Sequence, residues 1–124
     1  MFFKTRMRRV LRRILAAARA EGGDPVSLPP TAAYLEGQAA ARGLSWRGLS
    51  PAEAALLIAH EARLAMGAGS AGAARLERAA RREAEARGLG PFWATLEHEA
   101  WRAAREAALR RDGHPPASAA FAVL

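Results

Sequence analysis

The stretch FFKTRMRRVLRRILAAARA, residues 2–20, sets how the rest of this chain is read. Phe3, Met7, Val10, Leu11, Ile14 and Ala18 recur at the spacings of a single helical face. Lys4, Arg6, Arg8, Arg9, Arg12, Arg13 and Arg19 fill nearly all of the remaining arc. The expectation is a helix with one apolar and one cationic side. Gly22-Gly23-Asp24-Pro25 ends it, since glycine and proline are the poorest helix formers.

The rest of the sequence has the same helical character. Alanine fills 33 of 124 positions, while valine and isoleucine together supply five. Sheets draw on β-branched and aromatic side chains, and helices on Ala, Leu, Arg and Glu. The fold class expected is therefore all-α: a small bundle of about five helices with an irregular C-terminal tail. Residues 1–21 form the basic amphipathic helix, 22–29 a linker, 30–111 the helical body and 112–124 the tail.

Within the body, a helix from Pro30 or Thr31 to Arg42 is closed by Gly43 in a left-handed position, with Leu44 following. Ser50-Pro51-Ala52-Glu53 is a capping box with proline at the first helical position, opening a helix to about Met66. Its large apolar residues, Leu56, Leu57, Ile58, Leu64 and Met66, lie around the wheel, as in a central helix or one touching a second subunit. Residues 71–87 carry a narrow stripe of Ala73, Leu76, Ala80 and Ala84. With the i,i+4 pairs Glu77–Arg81, Arg81–Glu85 and Glu83–Arg87, they read as a solvated outer helix. Gly88-Leu89 repeats the earlier stop, and a last helix runs from Pro91 to about Arg111. Its stripe is Trp93, Leu96, Ala100, Ala103, Ala104 and Ala107.

The formal charge of +7 is concentrated in one place. Residues 1–20 hold seven cations and no acid, and residues 21–124 hold twelve arginines against twelve acids. A basic stretch followed by Ala18-Arg19-Ala20 has the outline of an export signal. Arg12 and Arg13 interrupt the apolar segment such a signal needs, so a cytoplasmic location is expected.

Catalytic motifs are missing. Cysteine is absent, excluding disulfides and thiolate chemistry. His60-Glu61 and His98-Glu99 each begin like a zinc-protease motif, but Leu64 and Arg102 stand where its second histidine belongs. No metal, no cofactor and no enzymatic activity are expected.

The cations make a stronger case. Nucleic acid rewards such spacing through counterion release at each neutralised phosphate. Candidate contacts are Lys4, Arg6, Arg8, Arg9, Arg12 and Arg13, extended by Arg75, Arg78 and Arg82. His98, Arg102 and Arg105 share a face of the last helix beside Trp101, and an aromatic among cations suits base stacking. The side chains that read base edges are scarce, so sequence-independent binding is expected. The chain reads as a small non-enzymatic, nucleic-acid-binding accessory subunit of a nucleoprotein assembly. The alternative is a structural or adaptor protein acting through helix–helix interfaces with protein partners or copies of itself. Peripheral membrane binding through residues 2–20 is the third reading.

Overall fold

In a computed structural model of the chain, residues 2–21, 32–67 and 69–111 are described. The expected linker at 22–29, a helix start at Pro30 or Thr31, His114 and the tail at 112–124 lie outside the described residues. Within them the protein is all-helical, with five α-helices and no strand: α1 (Phe2–Ala20), α2 (Ala32–Ala41), α3 (Pro51–Met66), α4 (Ala71–Ala86) and α5 (Gly90–Arg111). Two compact units emerge, one ending at Gly90 and the other beginning at Pro91.

The helix ends follow local chemistry. Ser50 Oγ accepts from the Glu53 amide at 3.2 Å, and the Glu53 carboxylate accepts from the Ser50 amide at 2.8 Å, completing the capping box. The Arg-Gly-Leu stops of α2 and α4 share one geometry. The Leu44 amide donates to Ala39 and the Gly43 amide to Ala40, while Leu89 donates to Ala84 and Gly88 to Glu85. Both glycines adopt positive φ, 76° and 72°, as a Schellman closure requires.

In the first unit α1, α3 and α4 each pack against the other two, and α2 lies on α1 and α3. The buried face of α1 is Met7, Val10, Leu11, Ile14, Leu15 and Ala18. Phe3, expected on that face, is half-buried, while Leu15 joins it. Three neighbours cover α3 in part: Ala54, Ala55, Leu56, Ile58 and Ala59 are buried, Leu57 and Met66 are half-buried, and Leu64 is exposed.

α4 keeps most of the narrow stripe expected, and Arg78, Arg81, Arg82 and Glu85 on its other side are exposed. It buries Ala79 along with Leu76, Ala80 and Ala84, and leaves Ala73 half-buried. A methyl side chain marks no face by itself, yet it lets two helices approach closely, so α4 serves two neighbours at once. In the second unit α5 buries only Trp93. Leu96 and Ala100 of its stripe are half-buried, and Ala103, Ala104 and Ala107 are exposed.

Candidate functional site

The position of α1 decides what its charge can do. Its apolar face lies inside the first unit, with Met7, Leu11 and Ile14 at 0% exposure. The opposite face is left to the cations, and acids from α2 and α4 engage some of them. The Arg8 guanidinium donates to both carboxylate oxygens of Glu36 on α2, at 2.5 and 3.3 Å. That hydrogen bonding, and then the charge of Glu36, raise the Arg8 guanidinium above its ordinary value. Arg13 lies 3.5 Å from Glu83 on α4. Arg78 and Arg82 of α4 both pair with Glu21, just past the end of α1, Arg82 at 3.1 Å. These cross-links run in opposite order along the two helices, so α1 and α4 are antiparallel.

Arg19 is engaged as well, which leaves four of the seven cations of residues 1–20. Lys4, Arg6, Arg9 and Arg12 are exposed, and no ion pair holds any of them among the described residues. At 100° per residue Arg6, Arg9 and Arg12 span the arc opposite the buried face and form a ridge of positive charge on a helix fixed by its core, while Lys4 lies in the first turn on the same side as Leu11 and Leu15.

The other candidates are placed differently. Arg78 and Arg82 share Glu21, so that group of three carries a net single positive charge. Arg75 is half-buried and engaged. His98, Trp101, Arg102 and Arg105 are all exposed on α5, in the second unit. The His98 ring stacks on Trp101 with centroids 6.2 Å apart and planes 25° from parallel, and Trp101 remains 51% exposed.

Sequence reasoning missed one cation near the ridge. Arg87, at the C-cap of α4, lines a groove of about 320 Å³ together with Arg6, Arg9 and Val10 of α1 and Ser50, Pro51 and Ala52 at the start of α3. In the linear chain Arg87 is the i,i+4 partner of Glu83, a pair found at 2.6 Å, and nothing local links it to residues 6–9. Glu21, Glu36 and Glu83, which position α1, were equally silent, because their partners are remote.

Among the described residues no cluster of three or more histidine or acidic side chains is arranged to hold a metal ion. No described helix is long and apolar enough to cross a membrane. No family model, curated protein or solved structure matches this chain.

Proposed function

We propose that this protein binds nucleic acid through backbone phosphates, without an enzymatic step and without sequence preference, as an accessory subunit of a larger nucleoprotein assembly. One observation carries the reading: Arg6, Arg9 and Arg12 stand exposed and unpaired among the described residues on the side of α1 opposite its buried face, with Lys4 exposed and unpaired in the first turn. A protein that needed α1 only as a packing element has no use for a cationic ridge, which repels itself. Phosphates spaced along a strand are its natural counter-charge.

The same burial weighs against lipid. Five large apolar side chains of α1 are inside the unit, a burial that a membrane would only match and not add to. Attraction to an anionic leaflet supplies about 1 kcal/mol per basic residue. Releasing α1 to a membrane would also expose the surfaces of α3 and α4 that it covers.

Fluorescence anisotropy on mixed-sequence duplex at several salt concentrations tests the reading. Neutralising four phosphates predicts a slope of log K against log salt of about −3.6. Combining Lys4→Ala, Arg6→Ala, Arg9→Ala and Arg12→Ala should abolish specific salt-sensitive binding. Absent binding, or binding indifferent to salt, sinks the proposal.

A protein-interface role has one observation in its favour. α5 buries a single residue of its 22 and exposes Trp101. Light scattering over a concentration series tests it: a mass that rises with concentration and reverts with Trp101→Ala supports self-association through α5.

A further inference from the structure

The groove lined by Arg87 unites guanidinium groups that the sequence keeps far apart. Arg6 and Arg9 lie about one turn apart on α1 and face it, and Arg87 approaches from the end of α4. Val10, Pro51 and Ala52 supply its apolar lining. No acidic side chain among the described residues lines it. Two nearby acids are already engaged: Glu83 accepts from Arg87 Nε at 2.6 Å, and the Glu53 carboxylate accepts from the Ser50 amide at 2.8 Å. Arg87 therefore spends one donor within α4 and retains its terminal N–H groups for another acceptor.

The positive character of this groove comes from side chains rather than from the end of α3. Proline at position 51 has no amide hydrogen, and Ser50 Oγ already accepts from the Glu53 amide. Arg6 and Arg9 are unpaired among the described residues and Arg87 is partly offset by Glu83, so the concavity keeps a net positive charge that an anion between the guanidinium groups would offset. Guanidinium forks match phosphate oxygens in both shape and charge. A volume near 320 Å³ also falls at the lower end of the range for small-molecule pockets, about 300–1,000 Å³, and exceeds what a lone ion needs.

We propose that this groove seats one phosphate group of a bound nucleic-acid strand between Arg6, Arg9 and Arg87, with the attached sugar against Pro51 and Ala52. The proposal deepens the nucleic-acid reading above and rests on it for the source of the phosphate. It assigns Arg87 a binding role and gives the otherwise open ridge a fixed point of register.

The test uses Ala52→Glu, which sets a carboxylate in the groove while leaving every arginine in place. A glutamate in the first turn suits the helix electrostatically, so folding should be preserved. Ala52→Gln controls for size, and Arg87→Gln removes the third guanidinium independently. Two probes are titrated at fixed salt: inorganic pyrophosphate by calorimetry, and the mixed-sequence duplex oligonucleotide by anisotropy. Ala52→Glu and Arg87→Gln should each weaken both probes by about tenfold, the scale of one lost charge-assisted hydrogen bond, while Ala52→Gln binds like the parent. Equal losses for Ala52→Glu and Ala52→Gln overturn the proposal, since shape alone would then explain them. If the oligonucleotide binds and only Lys4→Ala or Arg12→Ala weakens it, the groove is refuted and the nucleic-acid reading survives. If pyrophosphate binds and Ala52→Glu abolishes it while the oligonucleotide fails to bind, the groove takes a free phosphate and the nucleic-acid reading falls. If neither probe binds the parent protein, both fall.

Discussion

Gly37 and Gly88 are both glycines in or beside a helix, and the backbone asks opposite things of them. Gly37 lies in the interior of α2 with no left-handed φ, and an added Cβ meets nothing within 4 Å. Gly37→Ala should stabilise the protein by about 0.5–1 kcal/mol, by lowering the entropy lost on folding. Gly88 also has open space around it, but its φ is +72°, so the cost of a side chain is purely conformational. Gly88→Ala should destabilise by about 1 kcal/mol. Urea unfolding checks the pair: the midpoints must move in opposite directions at unchanged slope. Loss of half the capping box through Ser50→Ala should cost about 1 kcal/mol by the same measurement. These devices were legible in the sequence because donor and acceptor lie three to five residues apart. The pairing of Glu21 with Arg78 and Arg82 was not, since those partners are 57 and 61 residues away.

At the scale of one helix, the two faces of α1 should respond to mutation in different currencies. Ile14 is fully buried, and Ile14→Ala removes packed volume against neighbouring helices, at about 2–5 kcal/mol. Arg12 is exposed with no ion-pair partner among the described residues, so Arg12→Ala should change stability by no more than about 0.5 kcal/mol. It should still lower the salt slope of duplex binding by about 1. Thermal unfolding and anisotropy on both variants check this; an Arg12→Ala protein that unfolds early would mean the outer face of α1 is structural. Periodicity revealed the buried face of α1 because large apolar residues alternate there with cations, a contrast no reader of the sequence can miss. On α4 it placed Leu76, Ala80 and Ala84 but took Ala73 in place of Ala79, because alanines look alike in sequence and only their neighbours decide which are covered. The groove was illegible for a related reason: Arg6, Arg9 and Arg87 become neighbours only after α1, α3 and α4 have packed.

For the molecule as a whole, the charge and the apolar face of the first twenty residues leave them two roles: docking on the body with the charge displayed, which the sequence favours, or acting as a detachable basic arm that meets lipid. The packing has them docked. Among the described residues of the first unit, the buried apolar side chains larger than alanine are Met7, Val10, Leu11, Ile14, Leu15, Leu35, Leu56, Ile58 and Leu76, and α1 contributes five of these nine. An alanine-rich α3 and α4 cannot replace them, because a methyl group buries too little area. A domain of this kind is stable by only about 5–15 kcal/mol in total, and the apolar burial of α1 is of the same order. Deleting residues 1–20 should therefore abolish cooperative folding of the first unit instead of releasing a folded, neutral body. Circular dichroism checks this: the truncated chain should show reduced helicity and lose the sigmoidal urea transition. A truncated protein that still unfolds cooperatively, near the parent midpoint, would restore the detachable arm and reopen the membrane reading. The consequence for function is direct. Loss of nucleic-acid binding on truncation cannot distinguish a missing ridge from a missing fold, so the ridge has to be probed by substitutions such as Arg12→Ala, which leave the core of α1 in place.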